Sequence, residues 1–227
     1  IYIRILINLS RQVQLIKIPD INYIAKIFYM YSHFFNLIQK IILKKSLSDD
    51  IIKVVDKHNV NVVVDIGCGD STILKDFKKD YLYHGFELSE YFTNKSKIKY
   101  KNNVNFQFYN KSIDEIDFSK FNPDKSIIVL IGLFHHIDNA QIISFSNKTK
   151  NFKIIGIDAV KLEGQKKITK LLMALDRGKF IRKIDEYKKT LPGFVFFIAK
   201  NKYLRFSYDH LVSTRNIDKN IIEEIFK

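Results

Sequence analysis

Val62-Val63-Val64-Asp65-Ile66-Gly67-Cys68-Gly69-Asp70-Ser71 is the stretch from which the fold can be read. From Val60 to Ile66 the chain is almost wholly apolar and β-branched, as a parallel strand covered on both faces should be. The run ends at Gly67, and Gly67 and Gly69 allow a tight turn in which backbone N–H groups come close to a ligand. Working outward, Asp49–His58 precedes this strand as a helix, and Ser71–Lys79 follows it as another. The alternation continues with a strand at Tyr81–Glu87, a helix at Tyr91–Lys99 and a strand at Val104–Tyr109. Ser126–Ile131 is a second buried apolar run, closed by Gly132 and the polar cluster His135, His136 and Asp138. A helix near Asn139–Phe145, a strand at Lys153–Asp158 and helical character over Lys166–Leu175 complete the pattern.

Such alternation is the mark of βαβ units around a parallel sheet. The tail departs from it, because Phe194–Ala199 and Asp209–Thr214 are strand-like with no convincing helix between them, after a Pro192-Gly193 turn. They suit an antiparallel pair at one edge. The expected fold is α/β, a doubly wound, mostly parallel seven-stranded sheet with an antiparallel C-terminal edge. Two segments are expected, a helical extension over 1–49 and the α/β domain over 50–227.

Composition limits the function classes. An apolar fraction of 46%, with 19 Phe and 12 Tyr, is far from the signature of disorder. Cys68 is the only cysteine, so no internal disulfide or Cys-based zinc site can form, and a reducing, cytoplasmic location is expected. The net charge of +14 would attract nucleic acid or an anionic membrane surface. The charge is mostly Lys, however, spread along the chain without a basic run or an RNA-binding signature. Ile1–Leu9 carries Arg4 with no small-residue cleavage site downstream, so no targeting segment is expected. Within Tyr23–Leu43, Ile24, Ile27, Phe28, Tyr31, Phe35, Ile38 and Ile42 fall at helical intervals. Lys26, His33, Asn36, Gln39 and Lys40 interrupt the stretch, so it reads as an amphipathic helix, packed on the domain or lying on a membrane surface, and not as a span.

Ligands of open α/β sheets bind beyond the carboxyl ends of the strands. The third glycine of a dinucleotide fingerprint would fall at Thr72, so a pyrophosphate cradle is disfavoured. Glu87 ends the second strand about twenty residues after the loop, where a carboxylate reaches the ribose hydroxyls of an adenosine; the alternative is that it only caps the next helix. His135 and His136 stand at the end of a central strand as candidate general bases or as loop hydrogen-bonders, one of them facing substrate because adjacent loop side chains generally diverge. Two neighbouring histidines without a third ligand make poor zinc geometry, and no metal is assigned. Arg177 and Arg182, flanking Gly178, suit a bidentate grip on an anionic acceptor or a surface pairing with Asp176. Tyr208 is a further substrate-side candidate, with a core role as its alternative.

Val62–Ser71, Glu87 and Val129–His136 together resemble the class I S-adenosylmethionine-dependent methyltransferases, which have a Rossmann-like fold, over roughly residues 50–160. The resemblance implies S-adenosylmethionine as cofactor and S-adenosylhomocysteine as product. It assigns Asp65, Gly67 and Gly69 to the methionine end, with Cys68 between them and Gly132 after the fourth strand, Glu87 to the ribose and Leu88 to the adenine. Where relatives place an acidic residue for the adenine amine, this chain has Asn110, Lys111 and Ser112, of which Asn110 and Ser112 are kept as cofactor candidates. Ser71 replaces a third glycine, at the expected start of a helix. A narrower likeness, carried by Asp158, Gly164-Gln165, Leu175-Asp176-Arg177-Gly178, Arg182 and Tyr187 (GQ then LDRGxxxR), is to a bacterial methyltransferase group of unassigned substrate, and it adds Asp158 to the substrate-side candidates. The expected reaction is methylation of a small-molecule acceptor. The rival readings are an RNA methyltransferase of the same fold and a non-catalytic S-adenosylmethionine-binding protein.

Overall fold

A computed structural model describes residues 47–77, 80–167, 169–170, 173, 178–200, 202–203 and 209–226. The helix expected within Tyr23–Leu43, and Arg177 and Tyr208, lie outside the described residues. Contacts divide the chain into Ile1–Leu43 and Lys44–Lys227, and every described residue belongs to the second unit.

Seven strands form one sheet: β1 (Val62–Ile66), β2 (Leu82–Glu87), β3 (Phe106–Asn110), β4 (Ser126–Ile131), β5 (Lys153–Ala159), β6 (Val195–Ala199) and β7 (His210–Arg215). Their spatial order is β3-β2-β1-β4-β5-β7-β6. The first five pair in parallel, and β7 inserts between β5 and β6, antiparallel to both. The sheet is therefore doubly wound, with the expected antiparallel edge. The order reverses between β1 and β4, and the register brings Ile66 level with Phe86 and Leu130. The carboxyl ends of β1, β2 and β4 thus open onto one crevice.

The period-2 alternation within β1, β4 and β5 sorts side chains to two cores. Val63, Ile127, Val129 and Ile155 face one layer, while Val64, Ile128, Leu130 and Ile154 face the other. Helix α1 (Leu47–Asp56) covers the first with Ile51, Ile52, Val54 and Val55. Helices α2 (Glu90–Lys99), α3 (Asn139–Lys148) and α4 (Ile184–Thr190) follow, α3 covering the second layer with Ile142 and Phe145 and α4 with Tyr187. Helix α5 (Lys219–Phe226) returns to the first layer through Ile222, Ile225 and Phe226.

Sequence periodicity leaves α4 and α5 unread. Ile221, Ile222, Ile225 and Phe226 carry an i, i+1, i+4, i+5 stripe that would have revealed α5; α4 is only seven residues long and mostly polar. The helix expected over Ser71–Lys79 is instead a short 3-10 turn, Thr72–Asp76. Ser71 enters it in the left-handed conformation (φ 54°), and Phe77 leaves it extended. Ile73 and Leu74 are both buried by this single turn, so an apolar pattern that fits a longer helix is satisfied by the shorter one. Of the span read as helical from Lys166, Lys167, Thr169, Lys170 and Met173 are helical.

Candidate active site

The loop after β1 is built from backbone. Gly67 (φ 75°) and Gly69 (φ 55°) both need a conformation that disfavours a side chain, and the N–H groups of Gly67 and Cys68 donate to the Phe86 carbonyl at 2.8 and 3.2 Å. A Cβ on Gly67 would come within 3.1 Å of Leu133 Cδ1, whereas nothing lies within 4 Å of one on Gly69. The loop is thus closed toward the β4 side and open beyond Gly69. Ser71 shares the left-handed backbone of the loop. It is held by Ser96 Oγ, which donates to its hydroxyl at 3.2 Å, and by Tyr100 Oη, which donates to its carbonyl at 3.0 Å. The absent third glycine is thus offset by side-chain hydrogen bonds to a strained position.

Glu87 ties this loop to the end of β2. Its Oε2 accepts the Gly69 N–H at 3.0 Å and its Oε1 accepts the Ser89 N–H at 2.7 Å. Each oxygen keeps a second acceptor site, so the carboxylate is already aimed and can still receive two ribose hydroxyls. Asn110, level with Glu87 in the sheet, donates its Nδ2 to the carbonyls of Glu87 and Leu88 at 3.1 and 2.9 Å. Its amide oxygen has no partner among the described residues and is of the right kind to accept from an adenine amine. Leu88 lies beside it, 74% exposed. Ser112, by contrast, gives both its N–H and its hydroxyl to Glu115 Oε2 at 2.7 and 2.8 Å, so its side chain is engaged in capping a short turn. An open cradle of positive-φ glycines, an aimed carboxylate and an exposed apolar wall fit an adenosine bearing an amino-acid tail.

Asp65 is 3% exposed and accepts a hydrogen bond from Tyr83 Oη at 2.7 Å. Asp65 and Gly85 are level in the register, and a Cβ on Gly85 would lie 2.8 Å from Tyr83 Cε1 and 2.9 Å from Cys68 Sγ. Gly85 is therefore the gap through which the Tyr83 ring reaches Asp65. Sequence reasoning misses both residues, although a glycine inside a strand signals close approach. Burial pushes the Asp65 carboxyl up to about 7, the Tyr83 hydrogen bond pulls it down and the nearby Glu87 charge raises it. Burial likewise pushes the Cys68 thiol up to about 12, so Cys68 is a packed thiol and not a nucleophile. Between the ordinary value of 3.8 and about 7 the native state holds the extra proton, so the Asp65 contribution to stability falls as pH rises through that window. Asp65→Asn removes the charge and keeps an acceptor for Tyr83. The melting temperature of this variant, relative to the parent protein, should therefore rise between pH 5 and pH 8, and a pH-independent difference would contradict it.

The loop after β4 carries the histidines. Gly132 (φ 63°) turns the chain, and its N–H donates to the Ile157 carbonyl at 2.8 Å. His135 is 6% exposed and its Nδ1 meets Asp158 Oδ1 at 2.5 Å, while His136 is exposed. The two side chains do not point apart as expected of loop neighbours: their ring centroids lie 4.1 Å apart, one buried and one exposed, and the His136 N–H donates to the Leu133 carbonyl at 2.9 Å. Asp158 is 2% exposed and also accepts the N–H groups of Phe134 (2.6 Å) and Ala159 (2.8 Å). The resemblance implies a substrate-side role for it, but its carboxylate holds His135 with Nδ1 as donor, the tautomer in which Nε2 is the basic nitrogen.

Arg182 is expected either to grip an anionic acceptor or to pair with Asp176 at the surface, and the structure turns it inward instead. At 4% exposure it donates Nη1 to the Phe134 and Phe180 carbonyls (2.6 and 3.0 Å), Nη2 to the Ile137 carbonyl (2.7 Å) and Nε to Asn139 Oδ1 (2.8 Å). A fork of five donors suits this clamp on the turn, and it pins the segment that presents His135. Gly178 explains the glycine of the LDRG stretch: a Cβ there would lie 1.9 Å from His135 Cδ2 and 2.8 Å from its carbonyl oxygen, and the Phe180 N–H donates to that carbonyl at 3.0 Å. Gly178→Ala should displace this segment at a cost of about 1–3 kcal/mol. Calorimetric unfolding would show the loss, while affinity for S-adenosylhomocysteine should stay near that of the parent protein.

The crevice at the β1–β4 reversal, with its glycine loop and its carboxylate at the end of β2, defines the class I S-adenosylmethionine-dependent methyltransferase fold, and the chain has that fold. Magnesium protoporphyrin IX methyltransferase (ChlM) of Synechocystis PCC 6803, solved with bound SAH, superposes with a TM-score of 0.55 at 18% identity, over 74% of this chain and 82% of that one. The N-methyltransferase NodS of Bradyrhizobium japonicum WM9 superposes with a TM-score of 0.56 at 10% identity, over 75% and 94%. A SAM-dependent methyltransferase of Aquifex aeolicus does so with a TM-score of 0.53 at 15% identity, over 74% and 89%. The chain spans only about half of two other similar structures, 55% of a Nostoc punctiforme protein and 54% of the pyocyanin biosynthetic protein PhzM. No protein-family model matches the sequence, and no curated protein matches it. Among the described residues no helix is long and apolar enough to cross a membrane.

Proposed function

We propose that the chain is an S-adenosylmethionine-dependent methyltransferase acting on a small-molecule acceptor. The observation that carries this reading is the Glu87 carboxylate, aimed by the Gly69 and Ser89 N–H groups at the mouth of the glycine loop. When bound, S-adenosylmethionine supplies a methyl group made electrophilic by a sulfonium. Glu87 receives the ribose hydroxyls, the Gly67–Gly69 backbone receives the amino-acid tail, and Leu88 and the Asn110 amide oxygen flank the adenine. Asp65, buried below the loop, offers a carboxylate to the positive charge of that tail.

Methyl displacement at a sulfonium disperses charge, so positioning and exclusion of water supply most of the catalysis. Where the acceptor is a hydroxyl or an amine that must lose a proton, His135 Nε2 takes it. Asp158 acts on His135 as a positioning residue, by fixing the tautomer through Nδ1. The turn that holds His135 is braced by Arg182, and Asp158 reaches it from β5.

Calorimetric titration with S-adenosylhomocysteine tests the reading, and binding is the expected result. No binding at millimolar ligand would sink it. A net charge of +14 keeps RNA as a second acceptor class. RNA recognition would appear as an affinity that falls steeply with salt, and no RNA affinity at moderate salt would remove it.

A further inference from the structure

A cleft of about 490 Å³ opens beyond β5, lined by Lys161, Lys170, Lys179, Met173, Gly178 and Ile181 among others. Its volume is that of a small-molecule site. Two features give it a chemical character. Met173 and Ile181 are buried with Ala159 in a small apolar cluster, 8%, 7% and 5% exposed, so the floor is apolar. The three lysines are exposed, and none pairs with a carboxylate among the described residues. With no carboxylate partner among the described residues, the three lysines give the rim of the cleft a positive character that an anion would meet favourably.

The cleft also has a fixed relation to the proposed base. Gly178 forms part of its wall and packs directly on the His135 ring. Lys161 is held in place by its N–H, which donates to the Arg182 carbonyl at 2.9 Å, and by its bridge to Lys183. The arginine expected to grip an anionic acceptor at 182 is therefore not among the groups that line this cleft: Arg182 is spent on carbonyls, and the cleft presents lysines.

We propose that this cleft binds the methyl acceptor and that the acceptor is an organic anion, with an apolar body over Met173 and Ile181 and a carboxylate or phosphate head among Lys161, Lys170 and Lys179. The proposal rests on the methyl-transfer reading for the role of the bound molecule. Lysine, a compact and flexible point charge, serves either head group without demanding bidentate geometry. The reacting hydroxyl or amine of such a molecule would stand at the Gly178 wall, behind which the His135 ring packs.

The test uses the full chain with S-adenosylhomocysteine present and three probes of one size: 4-hydroxybenzoate, phenyl phosphate and the neutral 4-hydroxybenzamide, titrated by calorimetry or ligand-observed NMR. At least one anion should bind roughly tenfold or more tighter than the amide, and the stronger of the two identifies the head group. The Lys161→Gln, Lys170→Gln, Lys179→Gln triple variant should lose that preference. The control triple Lys97→Gln, Lys101→Gln, Lys125→Gln, at exposed positions outside the cleft, changes net charge equally and should keep it. Equal binding of anion and amide, failure of both anions to bind, or equal loss in the two triple variants overturns the proposal. S-adenosylhomocysteine affinity measured on the same samples separates the two readings. Cofactor binding without anion binding removes the acceptor cleft alone, and anion binding without cofactor binding removes the methyl-transfer reading alone.

Discussion

Glu87→Ala should weaken S-adenosylhomocysteine binding by about 10- to 100-fold, equivalent to roughly 1.5–3 kcal/mol. Two losses add in this variant. The ribose hydroxyls lose a charged acceptor, and the Gly69 and Ser89 N–H groups lose the carboxylate that holds them in one arrangement. Glu87→Gln separates them, because an amide keeps one acceptor oxygen and replaces the other with a donor. Its affinity should fall between the parent and the alanine variant. Thermal melting should change little for Glu87→Gln, since the strand packing of Phe86 and Phe108 is untouched. Unchanged affinity in Glu87→Ala would place the adenosine elsewhere and leave the proposed function without its main support.

Asp158→Asn should lower kcat by about 100-fold or more for an acceptor that must be deprotonated, with S-adenosylhomocysteine affinity retained. The side chain accepts from three donors, His135 Nδ1 and the N–H groups of Phe134 and Ala159. An amide has one oxygen, so it cannot serve all three, and its NH2 must face one of them. Where that group is His135 Nδ1, the imidazole takes the opposite tautomer and Nε2 ceases to be a base. The pH–rate profile distinguishes this from a structural defect: the limb assigned to His135 should be lost in Asp158→Asn and in His135→Ala alike. The double variant should be no slower than the worse single one, as expected for residues acting as a unit. A profile of unchanged shape in both variants would remove His135 as base. Asp158→Ala, which leaves buried donors unsatisfied, should also cost about 3 kcal/mol of stability.

The legible and illegible parts of this protein divide along physical lines. Ser126–Ile131 is readable to the residue because five consecutive apolar residues, Ile127 to Ile131, bounded by Lys125 and Gly132, are of the length and β-branched character of a strand buried on both faces. The position of Glu87 is readable because a βαβ unit has a nearly constant length. The turn at Thr72–Asp76 is not, since its buried pair Ile73 and Leu74 satisfies a helical pattern as well as a single 3-10 turn. Ser112 and Arg182 carry the right functional groups at plausible spacings, yet local partners claim the first and distant ones the second: Glu115 three residues on in one case, carbonyls more than forty residues away in the other. Spacing along the chain states which groups are near the crevice, but not which of them the backbone itself will consume.

What the amino-acid order determined alone is the set of short-range features: the apolar runs that become parallel strands, the glycines that turn after β1 and β4, and the acidic residue at the end of β2. These follow from hydrophobic period and from backbone conformations open chiefly to glycine, both local properties. The tertiary structure decided the rest. It brought Tyr83 across Gly85 to Asp65, set Asp158 beneath His135, folded Gly178 onto that ring and turned Arg182 inward while the cleft beyond β5 received lysines. Each of these is a contact between separate strands and loops, and side-chain direction there is fixed by register, burial and the need to satisfy every buried polar group, which no local pattern encodes.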